Sequence, residues 1–403
     1  MSHRRASMAF ILVTLFLDIL GIGIVIPVLP HLVTDMLGGN ESLAASYYGA
    51  IAGSYALMQF LFAPVLGALS DRFGRRPVLL ISLFGFGVNY LLTALAPNVY
   101  WLFVARIFSG IMGASFTTVN AYIADISTPE NRSQNFGLVG AAFGLGFIFG
   151  PALGGVLGNI GPRVPFYVSA CVVLLNWLYG LFVLPESLPK DRRRKFSLRE
   201  GNPLGGVLRL KRFPSVQELA MAFVFVALAQ RGLETVWVLY TQHRYGWNEL
   251  QNGMSLALVG VMAAIVQGGL IRRVVPKWGE KRSVRIGLLV SAIAFVCYGL
   301  APTGGSVIPI IVVGAIGGIA GPAIQGLVTG AVDPSQQGAV QGALTSLTSL
   351  SAILAPLLST QLFRYFTSEA APIQLPGAPF FLGAGFMAAA LFIAVHATRD
   401  KGA

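Results

Sequence analysis

Long apolar segments recur along the whole chain, and polar stretches separate them. A helix needs around 20 apolar residues to cross the hydrocarbon core of a bilayer, which is about 30 Å thick. The pattern therefore predicts an all-α polytopic membrane protein with twelve transmembrane helices, spans 1 to 12, at residues 6–30, 47–69, 78–96, 99–124, 135–158, 165–184, 216–240, 250–271, 286–301, 307–332, 339–363 and 378–395. The first segment is too long for the apolar region of a signal peptide, so we expect it to be retained.

The amino-acid composition excludes a soluble globular protein and an intrinsically disordered protein. Only 11 % of the 403 residues are charged, whereas soluble globular proteins carry roughly 25 %. Hydrophobic residues make up 55 % of the chain, and disorder requires low hydrophobicity. So few charges cannot cover the surface of a soluble protein of this length.

The positions of the basic residues predict the orientation in the membrane. Of the 28 Lys and Arg residues, 23 lie in termini and loops on the N-terminal side, three lie on the opposite side and two lie inside spans. Because Lys and Arg accumulate in cytoplasmic loops, we expect both termini in the cytoplasm. The net charge of +12 is spread over short loops, which argues against a nucleic-acid partner.

An internal repeat predicts the domain organisation. Three landmarks recur at offsets of 205, 208 and 205 residues, namely Gly74 with Gly279, Asp125 with Asp333 and Pro151 with Pro356. We therefore expect two pseudo-symmetric halves, an N-terminal six-helix bundle (1–185) and a C-terminal six-helix bundle (216–403), joined by a cytoplasmic basic linker (186–215). Two such halves around a central site are typical of secondary transporters.

The loop after span 2 reads GALSDRFGRRP over residues 67–77. Gly67 and Gly74 permit close backbone approach and a tight turn. Asp71 and Arg75 are suited to joining neighbouring helix ends by charge-assisted hydrogen bonds. A positive-inside loop that happens to contain one acid would account for the arginines but not for the whole string.

Span 5 contains the string GFIFGPALGG over residues 146–155. Glycines four residues apart lie on one helix face and let a second helix pack against the backbone. Pro151 removes one internal hydrogen bond and bends the helix. A single GxxxG is often only a packing motif, whereas the full GxxxGPxxGG string is much more specific.

Together these strings resemble the major facilitator superfamily and, within it, the tetracycline/proton antiporter (multidrug efflux) group. The loop string is similar to the superfamily's loop 2–3 signature, and the span 5 string is similar to its antiporter signature. Further similarity lies in residues 55–59, 62–64, 236–240, 246–248, 277–281 and 336–342. The resemblance implies the superfamily fold and a proton-coupled antiporter that exports an amphipathic drug in exchange for H⁺ by alternating access.

The resemblance also implies roles for individual residues. Asp18 would be the membrane acid coupled to the proton, and Arg106 the functional arginine of span 4. The gating group would comprise Gly67, Asp71, Arg72, Gly74, Arg75, Asp125 and Arg132. The antiporter motif would comprise Gly146, Gly150, Pro151, Gly154 and Gly155.

Charges inside spans need a reason, because each costs roughly 2.5–3.5 kcal/mol on insertion scales. Asp18 and Arg106 have similar predicted depths, and a carboxyl group balanced between desolvation and a nearby cation can load and release a proton. A static Asp–Arg pair that fixes helix packing is the alternative. Arg231 and Glu234 in span 7 are spaced i, i+3, so they either neutralise each other or provide a second proton or cation site.

Neutral polar and aromatic side chains complete the candidates. Gln59, Asn89, Asn120 and Gln230 either orient the substrate or pair between helices. Aromatic residues near the outer membrane interface are expected to be anchors, which describes Trp237, Tyr240 and Trp247. Gly21, Gly23 and Pro27 follow Asp18, so span 1 is expected to bend there.

The chain departs from the tetracycline pattern in spans 8 and 9. The tetracycline exporters carry a histidine and an acid there, whereas this chain has Ala263 and no ionisable group near Ser291. Tetracycline itself is therefore uncertain as substrate, and an exporter of a sugar or another endogenous metabolite is the alternative. A transport-inactive receptor or scaffold is disfavoured because the longest loop has about 31 residues.

The remaining expectations concern partners and location. There is no GxxxxGK[ST] phosphate loop, and the two cysteines and four histidines are scattered. We therefore expect no enzymatic activity, no cofactor and no metal site. The expected partners are a small-molecule drug, protons and the lipid bilayer, with function as a monomer in the inner (plasma) membrane.

Overall fold

The computed structural model describes residues 8–113, 116–128, 131–193, 214–333 and 336–398. All regular secondary structure in this part of the chain is helical. Twelve helices or helix combinations within it are long and apolar enough to cross a membrane. The predicted fold class and the twelve predicted spans are therefore confirmed.

The first six spans precede the linker, most of which lies outside the described residues. In chain order, spans 1 to 6 consist of Met8–Val25 with Leu29–Met36, Glu41–Phe73, Arg75–Ala94, Val99–Gly113 with Phe116–Ile126, Arg132–Ile160, and Val164–Val183. A short 3-10 turn, Lys190–Arg192, follows span 6.

The other six spans follow the linker and contain more irregular turns. In chain order, spans 7 to 12 consist of Pro214–Tyr245, Glu249–Ile265 with Val266–Leu270 and Ile271–Trp278, Glu280–Leu300, Gly304–Gly314 with Ala315–Ile319 and Ala320–Gly330, Gln337–Thr367, and Ala378–Ala397. The segment Val266–Leu270 is a π-helix, and Ala315–Ile319 is a 3-10 helix.

Span 1 bends where the sequence predicts it. The α-helix stops after Val25, and two tighter turns follow, with Ile26 N donating to Gly23 O at 3.3 Å and Val28 N donating to Val25 O at 3.2 Å. Pro27 lies between them and has no N–H to offer. The bend lies about two turns beyond Asp18, so the segment that carries this acid is joined to the outer end of the span by irregular backbone.

Two glycines with positive φ mark matching turns in the two halves. Gly74 separates spans 2 and 3 with a φ of 106°, and Gly279 separates spans 8 and 9 with a φ of 74°. Residues with a Cβ atom rarely adopt these angles. The tight turn expected at Gly74 is confirmed, and its repeat partner makes the same kind of turn.

The chain divides into two compact units. The first comprises Met1–Gly38, Ser54–Asn202 and Asn248–Gly260, and the second comprises Gly39–Gly53, Pro203–Trp247 and Val261–Ala403. In the first unit, a core of apolar side chains from spans 1, 3, 4 and 5 surrounds the buried Tyr122. The expected domain boundary at 186–215 stays a prediction.

An aromatic cluster forms part of the core of the second unit. Trp237 packs edge-on against Tyr298 with 5.3 Å between the ring centroids, and Tyr240 packs edge-on against Phe380 at 4.6 Å. Trp237 and Tyr240 are buried, as is Trp247. The expectation that these three residues are interfacial anchors is therefore wrong, because their rings pack inside the protein.

Candidate functional site

Asp18 is a buried acid in the first helix of span 1. Only 7 % of its surface is exposed, and its Oδ1 atom has no hydrogen-bond partner within the described chain. An ionised carboxylate that lacks donors is costly in a poorly hydrated environment. The side chain is therefore buried inside the protein and not directed toward lipid. Protonation would remove a charge that this environment stabilises poorly.

Two side chains of span 6 hold the backbone on either side of Asp18. Asn176 donates from Nδ2 to the Thr14 carbonyl at 2.8 Å, and Ser169 donates from Oγ to the Gly21 carbonyl at 3.0 Å. Both donors are fully buried. Since Thr14 lies one turn before Asp18 and Gly21 nearly one turn after it, span 6 fixes the position of this acid.

Arg106 is half-buried in the first helix of span 4. Among the ion pairs of the described residues, none joins it to Asp18. Instead, Tyr90 of span 3 lies within electrostatic range of Asp18, Arg106 and Tyr55. The arrangement places a phenol within range of both charges and does not contain the static Asp–Arg pair.

The neutral polar candidates occupy different environments. Gln59 donates to the Gly113 carbonyl at 3.2 Å and so links spans 2 and 4. Asn89 is buried, and its Oδ1 atom has no partner in the described part of the chain. Asn120 is exposed and Gln230 is half-buried. Only Asn89 therefore combines burial with an unused acceptor.

Arg231 and Glu234 form an ion pair in span 7, which belongs to the second unit. Arg231 Nη1 lies 2.8 Å from Glu234 Oε2, and the two side chains are 48 % and 53 % exposed. The contact that mutual neutralisation requires, one of the two alternatives, is therefore present. Half-exposed side chains of opposite charge at this spacing stabilise a helix only weakly.

The loop after span 2 forms a charged cluster around Arg75, which is buried. Its guanidinium donates to Asp71, to Ser70 Oγ at 2.7 Å and to Asp125 Oδ2 at 3.1 Å. Charge-assisted hydrogen bonds of this kind are roughly twice as strong as neutral ones. The structure thus brings together three predicted gating residues, Asp71, Arg75 and Asp125.

Glu186 belongs to the same cluster, and sequence reasoning missed it. Its Oε1 atom accepts from the backbone N–H groups of Arg75 at 2.8 Å, Ser187 at 3.0 Å and Leu188 at 3.1 Å. Ser187 in turn donates to Asp125 Oδ2 at 3.0 Å. The start of the linker is therefore tied to the first turn of span 3 and to the end of span 4.

Two of the other predicted gating residues border this network, since the Gly67 carbonyl accepts from Ser70 Oγ at 2.8 Å and Gly74 lies against the Glu186 carboxylate. A Cβ atom built on Gly67 would meet nothing within 4 Å among the described atoms, so the expected close approach is not made there. Arg72 lies over the ring of Phe73 at 5.1 Å. The side chain of Arg132 falls outside the described part of the structure.

The span 5 string packs directly against span 1. A Cβ atom built on Gly150 would lie 2.6 Å from Cα of Gly23, and one on Gly146 would lie 2.9 Å from Cβ of Ile19. Gly154 is in similarly close contact with the Ile24 backbone. Only glycine permits these approaches, so the string joins span 5 to the segment that carries Asp18.

Gly155 lies next to span 8 instead. A Cβ atom at this position would lie 3.0 Å from Cα of Leu250 and 3.2 Å from Cα of Gly253. Pro151 lies inside the continuous helix Arg132–Ile160. The string therefore presents one face to span 1 and another to span 8.

Comparisons with known proteins agree with this architecture. The family model of the Major Facilitator Superfamily matches residues 11–356 and 277–401. The chain is 40 % identical over 357 residues to the class C tetracycline resistance protein of Escherichia coli, with 89 % of each chain covered. It is 31 % identical over 300 residues to Multidrug resistance protein 2 of Bacillus subtilis (strain 168), with 73 % of each chain covered.

A solved structure gives the same fold. The crystal structure of the human organic anion transporter TETRAN matches with a TM-score of 0.70 at 24 % identity, covering 98 % of this chain and 100 % of that chain. At this level of identity the likeness concerns the fold alone.

Proposed function

The chain belongs to the major facilitator superfamily, and from this membership we infer that it is a proton-coupled drug efflux antiporter of the inner membrane. It exports an amphipathic drug in exchange for H⁺ by alternating access. Relatives named for tetracycline and multidrug resistance support this function. They do not favour the alternative, an exporter of a sugar or another endogenous metabolite.

The observation that carries the coupling mechanism is the buried carboxyl group of Asp18. In its ionised form this group holds an uncompensated charge, because Oδ1 has no donor among the described residues. Protonation removes that charge. Since burial disfavours the ionised form, conformations that hydrate Asp18 and conformations that bury it differ in proton affinity, and proton uptake shifts the balance between them.

The residues around Asp18 turn this difference into movement of the span. Span 6 holds the backbone on both sides of Asp18 through Asn176 and Ser169, and span 5 packs on the same segment through Gly146 and Gly150. The three therefore move as one body. The irregular backbone after Val25 is the point at which the outer end of span 1 bends relative to them.

The Arg75 cluster is proposed as the cytoplasmic gate. The counts of Lys and Arg support an orientation with this loop and both termini in the cytoplasm. The buried guanidinium of Arg75 holds the ends of spans 2 and 4, and the backbone N–H of the same residue holds the start of the linker through Glu186. Breaking these bonds is a step in exposing the site to the cytoplasm. Gly74, Arg72, Gly67 and Arg132 are proposed to shape this loop.

The remaining roles are also proposals. Arg106 and Tyr90 tune the charge near Asp18, Gln59 and Asn89 contact the substrate or its water, and Asn120 and Gln230 line its route. Arg231 and Glu234 form a neutral pair that a cationic drug can separate. We expect the protein to act as a monomer, to use no cofactor, to catalyse no covalent chemistry and to bind no nucleic acid.

Transport in proteoliposomes tests the proposed function. Purified protein is reconstituted with an imposed pH gradient, and accumulation of tetracycline and of an amphipathic cation such as ethidium is followed by fluorescence. We expect gradient-dependent accumulation of at least one of them, abolished by a protonophore. Accumulation that is unaffected by collapse of the gradient would contradict proton coupling.

A further inference from the structure

Two histidine–glutamate pairs lie at the ends of spans opposite the Arg75 loop. His31 near the end of span 1 faces Glu249 at the start of span 8, with His31 Nδ1 3.9 Å from Glu249 Oε1. His243 near the end of span 7 contacts Glu41 at the start of span 2 through its Nδ1 atom. Each pair lies within one of the two compact units. Each joins a residue before the linker to a residue after it.

The internal repeat relates the two pairs, because the glutamate of one pair corresponds to the glutamate of the other. Glu41 and Glu249 are 208 residues apart, the same offset as between Asp125 and Asp333. Each glutamate follows an asparagine that caps its helix, since Asn40 Oδ1 accepts from Leu43 N at 2.9 Å and Asn248 Oδ1 from Gln251 N at 3.0 Å.

The histidines correspond in the same way. His31 and His243 are 212 residues apart, which differs from 208 by about one helical turn, so they keep the same helix face. A histidine–glutamate pair is therefore built twice, in direct contact for His243 and Glu41 and at 3.9 Å for His31 and Glu249.

Close backbone packing accompanies each pair. Beside His31 and Glu249, Gly155 of span 5 approaches Gly253 of span 8. Beside Glu41 and His243, a Cβ atom on Gly49 of span 2 would lie 3.1 Å from the carbonyl oxygen of Pro356 in span 11. The pairs thus lie near positions where helices from the two sequence halves pack closely.

Two acidic groups of the described residues lie near His31. Besides Glu249, Asp35 of the same span is within electrostatic range of His31 and of Glu249. The outer end of span 5, residues 155–160, carries no ionisable side chain. The Asn252 amide nitrogen lies 3.4 Å from His31 Nε2, a long contact that loses little when this ring nitrogen is protonated.

His243 has a more mixed environment. Glu41 of span 2 faces it, and the ring of Phe363 in span 11 packs edge-on at 5.7 Å. Arg244 comes directly after His243 in span 7, and Arg364 comes directly after Phe363 in span 11. The side chains of His243 and Glu41 are 29 % and 33 % exposed. External protons therefore reach this pair readily, and its contribution is moderated by solvent.

We propose that His31 and His243 are two further proton-binding sites, and that protons from the external side stabilise the joined arrangement, in which span 1 contacts span 8 and span 2 contacts spans 7 and 11. This rests on the proposed function and orientation. Histidine changes charge between pH 5 and 8, and each protonated ring gains an ion pair that exists only when the helices are joined. By linkage, acid pH then favours the joined arrangement.

Distances between spin labels test the proposal. Labels at Leu43→Cys and Tyr365→Cys report on spans 2 and 11, and labels at Leu37→Cys and Met254→Cys report on spans 1 and 8. The background is Cys171→Ser, Cys297→Ser and Asp18→Asn, which removes the native thiols and the titration of the coupling acid. Distance distributions are recorded by pulsed electron resonance from pH 5.5 to pH 8.5.

We expect the joined population to rise as pH falls, and His243→Asn or His31→Asn to remove most of the response of its own label pair. At pH 5.5 His243→Asn should lower the ratio of joined to separated molecules by about threefold, the size expected of a partly exposed ion pair. His31→Asn should lower it at least as much, because His31 and Glu249 are only 9 % and 19 % exposed. His396→Asn, a histidine at the opposite end of span 12, is the matched control. Glu41→Gln should reduce the pH response as His243→Asn does, and Glu249→Gln as His31→Asn does. Agreement between the two variants of a pair shows that the loss does not come from misfolding of the histidine variant.

A pH response that persists unchanged in the His31→Asn, His243→Asn double variant would overturn the proposal. Failure of the proposed function would look different. The chain with native histidines and Asp18 would then show no gradient-driven export, whereas these distances would still report on the two pairs.

Discussion

The loops after spans 2 and 8 share a backbone turn but carry opposite charges at the residue that follows it. Both turn at a glycine with positive φ, Gly74 and Gly279. Arg75 follows Gly74 and is buried among Ser70, Asp71 and Asp125, whereas Glu280 follows Gly279. The repeat has therefore kept the glycine that the turn requires, while the charge at the next position is reversed.

This difference indicates which part of the motif is architectural. A positive φ is a requirement of the turn itself, so glycine is needed wherever two spans are joined this way. The buried guanidinium requires acids from spans 2 and 4, and the first half of the chain supplies them. We therefore propose that the gate is the loop after span 2 and that the loop after span 8 serves mainly as a turn.

Removing the central cation should have the largest effect. Arg75→Ala leaves Asp71 and Asp125 without their buried partner. Because these carboxylates are 41 % and 22 % exposed, the cost lies at the lower end of the about 3–5 kcal/mol that breaking a fully buried pair costs. We expect a clearly lower thermal denaturation midpoint in detergent and more than tenfold slower transport.

Glu280→Ala is the matched change in the other loop. It should lower the denaturation midpoint less than Arg75→Ala does, because Glu280 is only half-buried and lies against Gly326 of span 10 instead of at the centre of the Arg75 cluster. Equal losses in the two variants would remove the distinction between the loops.

Replacing the glycines should give a smaller effect that still separates the loops. Gly74→Ala and Gly279→Ala both force alanine into a backbone region that costs of order 1–3 kcal/mol. At Gly74 the new Cβ would also meet the Glu186 carboxylate, whereas at Gly279 it meets no described atom within 4 Å. The thermal denaturation midpoint of Gly74→Ala should therefore be lower than that of Gly279→Ala. The reverse order would contradict the close packing at Gly74.

Weakening the link to the linker should have the smallest effect. Glu186→Gln keeps one acceptor oxygen but removes the negative charge that receives three backbone N–H groups, a loss of about 1 kcal/mol. We expect a modest fall in the denaturation midpoint and faster proteolysis after residue 193. Glu218→Gln, at an exposed acid in the first turns of span 7, is the control, and an equal change there would argue against a specific role for Glu186.

Much of this molecule follows from local sequence signals. Spans are continuous apolar segments, turns need glycine and bends need proline, so the twelve spans, the turn at Gly74 and the bend after Val25 are all predictable. The cluster of Asp71 and Arg75 is predictable too, since its members are four residues apart on adjoining helix ends.

Contacts between distant segments were not predictable from single positions. Glu186 reaches Arg75 across 111 residues, and nothing in its own surroundings marks it. The burial of Trp237 and Tyr240 depends on Tyr298 and Phe380 in other spans. The repeated Asn–Glu after a glycine was the one available signal for the outer histidine pairs.

The central claim is that proton uptake by Asp18 drives uphill export, and Asp18→Asn tests it most directly. In proteoliposomes, substrate counterflow needs no net proton movement, whereas accumulation under a pH gradient does. We predict that the variant retains counterflow and loses gradient-driven accumulation. Accumulation at the rate of the unsubstituted protein, under the same gradient, would contradict the account.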